Sequence, residues 1–320
     1  MQEAQVAASD RQELSPANRP IAAAMIPFND AAPAGVPPAE LPPDTWRRPL
    51  AQVALAGFSE VDLTDSWVKV AELTPAQRED LRGTLTELGL SVPAISTARR
   101  SVIDPRHAAE NIAYSHRVID AAPEFGATVV SFGLFEALTD RQRQVLWFWT
   151  VPGASNPDDP DVWRACVAAY QELADHANDV GVQLTLEMYE DNYLGSAASS
   201  VRLVEDIGRT NVGLNPDLGN LVRAQGPIEP WQQILTATVP FMNYWHVKNY
   251  FRMEDPARGT VFTTPAPLDA GFIDYRKAVA QAVQGGFRGA LLVEHYGGDG
   301  LWQSARSRDY LRHLLEAAQI

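Results

Sequence analysis

The chain has 320 residues, of which 46% are hydrophobic and 21% are charged, and its formal net charge at pH 7 is -14. An acidic surface disfavours nucleic-acid partners, which need a positive stripe, and the single cysteine, Cys166, excludes an internal disulfide. No apolar run reaches the roughly 18 residues of a membrane helix. We therefore expect a cytoplasmic protein that binds neither nucleic acid nor a membrane.

The N-terminal segment differs in character from the rest of the chain. Residues 1–19 are polar and show neither strand nor helix periodicity, which predicts a flexible arm. An apolar run at 21–28 predicts the first strand, and the proline-rich stretch at 31–44 predicts a long loop, because proline interrupts helices and central strands. Residues 20–320 are expected to form one domain.

From there the chain alternates between short apolar runs typical of strands and longer segments typical of helices. The predicted strands are 21–28, 59–65, 91–97, 128–134, 183–189, 212–217, 243–249 and 289–295. The predicted helices are 46–56, 75–88, 106–125, 161–180, 197–207, 229–238, 274–283 and 304–318. Eight strand–helix units predict an α/β fold, the (β/α)8 TIM barrel, with long loops at 135–160 and 250–271 after strands four and seven. An open doubly wound sheet is the alternative, but no glycine-rich phosphate turn follows the first strand.

Reactive side chains are expected at the carboxyl ends of the barrel strands. The last four strands each deliver one potential metal ligand there: Glu187, Asp217, His246 and Glu294. Three carboxylates and one imidazole suit Mn²⁺ or Mg²⁺, and burying three carboxylates without a cation would be costly. We therefore predict that these four residues bind one divalent ion. Each residue taken singly fits a helix cap or a solvated surface acid equally well.

Three further stretches have a predicted role in the site or in an interface. His246 and Lys248 share a face of the seventh strand, which points either into the barrel or towards solvent. The first long loop contains four consecutive apolar residues, Leu146 to Trp149, which either form an aromatic wall for a substrate or pack the loop onto the barrel or a partner. The second long loop is either a lid or an interface.

The Glu187, Asp217, His246 and Glu294 pattern resembles that of the xylose-isomerase-like barrels, which include ketose 3-epimerases, inosose dehydratases and hydroxypyruvate isomerases. The resemblance covers residues 21–318. It implies a sugar substrate, proton removal beside a carbonyl by Glu187 or Glu294, and substrate binding by Arg252, six residues after His246. Two departures argue against plain ketose epimerisation: Asn220 replaces a histidine, and Tyr193 replaces a glutamate.

Several segments resemble a narrower branch, the catalytic α subunits of bacterial C-glycoside deglycosidases. They are STARRSVIDP, SHRVIDAA, LWFWTVPG, NPDLGNLVR, YWHVKNYFR and TPAPLDAGFIDYR. This resemblance implies a lyase that cleaves the C–C glycosidic bond of 3-oxo-C-glycosides, by proton abstraction at C2 and β-elimination of the aglycone, together with a small β subunit. Lys248 and His295 are candidate catalytic residues beside the two glutamates. The candidate substrate-binding residues are Arg252, Asn220, Trp147, Trp149 and Tyr189.

Three other functions compete with this lyase. A sugar or polyol isomerase, epimerase or dehydratase would use the same ion and the same bases. Metal-dependent nucleic-acid repair in the same barrel superfamily would need more histidine ligands and a basic groove, and the chain has six histidines and an acidic balance. A subunit without catalytic activity would merely bind a metal and a partner.

Overall fold

The computed structural model describes residues 18–31, 40–42 and 44–318. Residues 1–17 of the predicted arm at 1–19 and most of the proline-rich loop therefore lie outside the described residues. Arg19, the last residue assigned to the arm, is buried, and its guanidinium lies 5.3 Å from the centre of the Phe287 ring. The packed domain thus includes this residue.

Ten strands occur in the described part of the chain. They are β1 (Ile21–Ala24), β2 (Val61–Asp62), β3 (Ala94–Ser96), β4 (Val129–Phe132), β5 (Gln183–Glu187), β6 (Val212–Asn215), β7 (Tyr244–Val247), β8 (Asn249–Asp255), β9 (Thr260–Ala266) and β10 (Ala290–Val293). Two parallel arcs, β2-β1-β10-β7 and β3-β4-β5-β6, form the barrel wall. Single bridges between Glu60 and Ser91 and between Leu214 and Met242 join the arcs. The predicted TIM barrel is confirmed.

Helices surround this barrel. They are α1 (Asp44–Leu55), α2 (Pro75–Glu87), α3 (Ala108–Ala121), α4 (Asp140–Arg143), α5 (Pro160–Asp179), α6 (Ala197–Ile207), α7 (Leu218–Val222), α8 (Trp231–Thr238), α9 (Tyr275–Gln284) and α10 (Gly300–Ala317). Their starts follow local capping chemistry: Thr74 caps α2 through a capping box with Gln77, and Ser196 caps α6. Among the described residues, no helix is long and apolar enough to cross a membrane.

The barrel interior changes from apolar to polar along the strand direction. Its lower layer is an apolar cluster: Ala22, Ala24, Ala94, Val129, Tyr244 and Leu292. Because side chains two residues apart share a face of a strand, the next layer is Ser96 above Ala94, His246 above Tyr244 and Glu294 above Leu292. The carboxyl end of the barrel interior is therefore lined by polar side chains, and the layer below it is apolar.

The two long connections differ from each other in structure. The one after β4 contains only the short helix α4 and a 3-10 turn at Phe148–Thr150. The one after β7, predicted only as a long loop, contains the antiparallel hairpin β8–β9, in which Met253 pairs with Phe262. The predicted seventh strand ran through Asn249, whereas β7 ends at Val247 and Asn249 begins the hairpin. Because the predicted seventh strand included Asn249, the first strand of the hairpin was not recognised as a separate element.

Candidate metal centre and active site

Neighbouring strand ends bring three predicted ligands together. Glu187 is the last residue of β5, Asp217 caps the short helix α7 after β6, and His246 lies in β7. One ligand atom from each lies within 4.8 Å of the others, and all three side chains are buried. The parallel order of β5, β6 and β7 around the barrel explains this convergence.

The fourth predicted ligand, Glu294, reaches the same imidazole. Its Oε1 lies 3.3 Å from His246 Nδ1, and the Glu187 Oε2 lies 3.5 Å from the same nitrogen. The other oxygen of Glu294 accepts a hydrogen bond from Lys248, whose Nζ also donates to Asp217 Oδ2 at 2.5 Å. Lys248 is itself buried. The cluster thus contains three carboxylates, one imidazole and one ammonium group.

The residues present fit a divalent cation. Among the described residues, His246 Nδ1 has no aligned hydrogen-bond partner, although it is buried and faces two carboxylates. A buried nitrogen without a partner normally carries a large energetic cost, which coordination to a cation would remove. Carboxylate oxygens with one imidazole nitrogen form a donor set suited to Mg²⁺ or Mn²⁺.

Burial and mutual attraction shift the pKa values in this cluster. Burial raises the pKa of Glu187 to about 7, although His246 and Lys248 oppose that rise. Burial also raises the pKa of Glu294, but Lys248 and His246 outweigh it and hold the pKa well below its usual range. Burial lowers the pKa of His246, but Glu187 and Glu294 outweigh it and raise the pKa to about 9. Without a metal, the buried carboxylates therefore favour a protonated imidazole as their cation.

Asn220 lies in contact with the cluster. Its Nδ2 donates to Glu187 Oε1 at 2.8 Å and to the Met188 carbonyl at 3.0 Å, and its backbone N–H donates to Asp217 Oδ1 at 3.2 Å. Asn220 therefore fixes the orientation of Glu187 from α7. Its own Oδ1 is buried and has no hydrogen-bond partner in the described part of the chain.

The aromatic loop after β4 reaches across the mouth of the barrel. Trp149 is buried and stacks on Trp147, with ring centres 5.1 Å apart. Its ring also meets Tyr250, after β7, at 5.2 Å and Tyr296, after β10, at 5.3 Å. Lys248 Nζ lies 5.9 Å from the Tyr296 ring centre. The loop packs against the elements that carry the candidate ligands.

A pocket of about 160 Å³ lies beside this aromatic group. Trp149 and Tyr189 line it together with Arg99, Glu136 and Asp191. The Tyr189 hydroxyl accepts a hydrogen bond from Arg99 at 2.9 Å. The four candidate metal ligands do not line this pocket and are each at most 8% exposed, so they are buried beside it.

Two predicted site residues lie apart from the cluster. Arg252, in β8, donates from its guanidinium to the carbonyls of Val222, Ala224 and Gly226 at 2.6 to 2.9 Å. It therefore ties the hairpin to the end of α7 and does not face the ligands. His295 follows Glu294 and is partly buried, and among the described residues no hydrogen bond or ion pair joins it to the cluster.

An ion pair that the sequence analysis did not single out supports the aromatic loop. Arg223 is fully buried and makes two hydrogen bonds to Glu190, at 2.8 and 3.1 Å. Its guanidinium lies 5.0 Å from the ring centres of Phe148, Trp149 and Tyr189. The available signal was a lone arginine in the apolar segment LGNLVRA.

A closed parallel barrel with three carboxylates and one imidazole at its strand ends defines the class of metal-binding (β/α)8 barrels. The family described as xylose isomerase-like TIM barrel matches residues 50–317, and the chain belongs to this family. The resemblance predicted from the ligand pattern is confirmed at that level. The narrower resemblance to C-glycoside deglycosidases stays a prediction.

Three relatives are informative. A xylose isomerase-like TIM barrel protein from Mycobacterium smegmatis, solved in complex with magnesium, is 40% identical, with a TM-score of 0.90 over 96% of this chain and 99% of that one. A structure of L-ribulose 3-epimerase is 19% identical, with a TM-score of 0.68 over 94% and 95% of the two chains, which shows the shared fold. D-psicose 3-epimerase from Agrobacterium fabrum (strain C58) is 28% identical over 94 residues. That match spans 25% of this chain and 32% of the epimerase.

Proposed function

We propose that the protein is a divalent-metal-dependent sugar isomerase or epimerase that moves a proton on a carbon beside a carbonyl group. The observation that carries the proposal is the convergence of Glu187, Asp217 and His246 within 4.8 Å, with Glu294 in contact with the same imidazole. The match to a 3-epimerase and the magnesium complex of the 40% identical relative support it.

Glu187, Asp217, His246 and Glu294 would hold the ion, either Mg²⁺ or Mn²⁺. When bound, the ion would act as a Lewis acid on the oxygens of the reacting carbons. The rings of Trp149 and Tyr296, which contact each other, would exclude water from the reacting carbon and strengthen the charge interactions there.

The two glutamates would transfer the proton. Burial brings the pKa of Glu187 to about 7 in the metal-free protein, near the value that suits a general base at neutral pH. Lys248 and His246 keep Glu294 ionised despite its burial. Environments that separate the pKa values of two carboxyl groups commonly mark their acid and base roles. In an epimerisation, one glutamate would take the proton and the other would return it on the opposite face.

A second candidate is the lyase acting on 3-oxo-C-glycosides. The observation that favours it is the set of aromatic rings beside Lys248, which would suit an aromatic aglycone. Glu187 would remove the C2 proton, and the electrons of that bond would form a C1–C2 double bond. The C1–aglycone bond would break, and the aglycone carbon would keep its electron pair and take a proton from an acid such as Lys248. The small β subunit implied by the resemblance to C-glycoside deglycosidases is expected only if the protein is this lyase.

One experiment separates the two candidates. The protein loaded with Mn²⁺ or Mg²⁺ would be incubated in D2O with a panel of ketohexoses and, separately, with a 3-oxo aryl C-glycoside. Deuterium entry beside the carbonyl of a ketohexose, abolished by EDTA, would support the isomerase or epimerase. EDTA-sensitive release of the aglycone would support the lyase. A loaded protein that exchanges no deuterium and releases no aglycone would contradict both.

A further inference from the structure

A buried polar network contacts the imidazole of the candidate ligand His246. Asp62, at the end of β2, accepts hydrogen bonds from the Ser96 backbone N–H at 3.0 Å, the Ser96 hydroxyl at 2.8 Å and the Tyr244 hydroxyl at 2.7 Å. Ser96 Oγ also lies 3.4 Å from His246 Nε2. All four residues are at most 5% exposed. The network joins β2, β3 and β7 next to the ligand cluster.

The donors and acceptors in this network determine where the hydroxyl protons and the imidazole proton lie. A carboxylate only accepts hydrogen bonds, so Asp62 receives the hydroxyl protons of both Ser96 and Tyr244. Burial raises the pKa of Asp62 to about 6, which leaves it ionised at pH 8. Because the Ser96 hydroxyl proton points to Asp62, Ser96 Oγ can only accept from the imidazole. His246 Nε2 therefore carries a proton, and Nδ1 is the nitrogen left for a metal.

We propose that Asp62 and Ser96 are positioning residues that hold His246 in the tautomer and orientation required for metal binding. This inference rests on the proposed metal-dependent function. Hydrogen bonds from the far nitrogen of a ligating histidine fix its ring and increase its basicity, and their loss typically weakens metal binding by about 10- to 100-fold.

Asp62→Asn tests the direction of the hydrogen bonds. An asparagine amide facing Ser96 would donate to the hydroxyl oxygen, and the hydroxyl proton would then turn towards His246 Nε2. The imidazole proton would have to move to Nδ1, where the metal must bind. Ser96→Ala instead removes the link and leaves Asp62 with its other two donors. Both variants are expected to weaken Mg²⁺ binding by about 10- to 100-fold.

The chain offers a matched control for the serine. Ser131 pairs with Ser96 in the β3–β4 register and is 1% exposed. Among the described residues, its hydroxyl has no hydrogen-bond partner. Ser131→Ala therefore removes an equally buried hydroxyl from the adjacent strand without touching the network. Ser96→Thr retains the hydroxyl and is the conservative variant that should restore binding.

The measurement is Mg²⁺ and Mn²⁺ titration calorimetry at pH 8, combined with ¹⁵N spectra of the histidine rings in the Mg²⁺-loaded protein. We expect weak binding for Ser96→Ala and Asp62→Asn, binding within about threefold of wild type for Ser131→Ala and Ser96→Thr, and a proton on His246 Nε2 in the wild type. Equal affinities in all five proteins, or a wild-type imidazole protonated on Nδ1, would overturn the inference alone. A wild-type protein that binds neither ion would overturn the proposed function as well.

Discussion

Lys248 is a buried lysine that donates hydrogen bonds to two candidate metal ligands. Its ammonium contacts Asp217 and Glu294 and is 3% exposed. Three carboxylates carry three negative charges, which one ammonium and one divalent ion would balance. Lys248 therefore supplies part of the charge that stabilises the buried carboxylates before an ion binds.

Lys248→Met should tighten metal binding while it destabilises the metal-free protein. The ammonium repels a divalent ion bound to the same carboxylates, so its removal is expected to raise the affinity by at least about tenfold. Calorimetry would measure the affinity, and thermal unfolding would measure the metal-free stability. The control is Lys277→Met on α9, whose side chain is 75% exposed. A loss of metal affinity in Lys248→Met would show that the lysine positions the ligands.

Glu187→Gln should abolish proton transfer without unfolding the protein. The amide retains the size of the carboxyl group but cannot accept a proton, and loss of a general base typically lowers the rate by about 10²- to 10⁴-fold. Deuterium exchange into the substrate would report the rate, and circular dichroism would report the fold. Glu205→Gln on the exposed side of α6 is the control. An exchange rate equal to that of the control would exclude Glu187 as the base.

At the level of elements, the hairpin and α7 form one unit beside the candidate site. Arg252 of β8 binds the carbonyls of Val222 and Ala224, and the Thr263 hydroxyl of β9 donates to the Arg223 carbonyl at 3.1 Å. Because Asp217 caps α7 and Asn220 lies in it, the hairpin supports two residues of the candidate site indirectly.

Arg252→Ala distinguishes support of α7 from substrate binding. Loss of its bonds to the α7 carbonyls should lower the free energy of unfolding by about 1–3 kcal/mol. KM should stay within about twofold of wild type, because the guanidinium faces α7 in this structure. Urea unfolding and steady-state kinetics would measure both. Arg258→Ala, at the exposed hairpin turn, is the control. A large rise in KM with unchanged stability would support the predicted role of Arg252 in substrate binding instead.

The aromatic loop depends on a glycine after β10. A Cβ on Gly297 would lie 2.6 Å from the Trp147 ring, whereas nothing lies within 4 Å of a Cβ on Gly298. Both glycines have positive φ, so alanine introduces similar backbone strain at each. Gly297→Ala should therefore displace Trp147 and increase the quenching of tryptophan fluorescence by acrylamide. Gly298→Ala is the control, and equal quenching in both variants would refute the packing argument.

At the scale of the whole molecule, the barrel concentrates its buried charges at one end. The apolar layer around Tyr244 and Leu292 forms the floor, and the buried carboxylates lie above it. A bound cation would stabilise this arrangement only in the folded state, because the four ligands lie far apart in the sequence.

Metal removal should therefore lower the melting temperature. A ligand present at 100 times its Kd stabilises the folded state by about 2.7 kcal/mol. Differential scanning calorimetry with EDTA and then with added Mg²⁺ would measure this shift in the wild type. Asp217→Asn should lose most of the shift, because it removes a buried ligand charge. A shift of the same size in Asp217→Asn would place the ion elsewhere.

The sequence by itself determined the alternation of strands and helices, the barrel and the four candidate ligands at the strand ends. These features depend on local periodicity, on capping residues such as Thr74 and on the rule that parallel strands end on one face, so a single sequence suffices to predict them. The convergence of Glu187, Asp217 and His246 follows from their places at the ends of neighbouring predicted strands.

Only the tertiary structure decided what each side chain contacts. Ser96 and His246 are 150 residues apart, and Asp62 and Tyr244 are 182 apart, so their hydrogen bonds depend on the barrel register. The same reason explains why Arg252 contacts the end of α7 instead of the ligands, why Lys248 contacts two carboxylates, and why Glu190 could not be identified as the partner of Arg223 from the sequence. Strand ends follow from local pattern, but contacts across a closed barrel follow from the strand order and register that only the folded chain fixes.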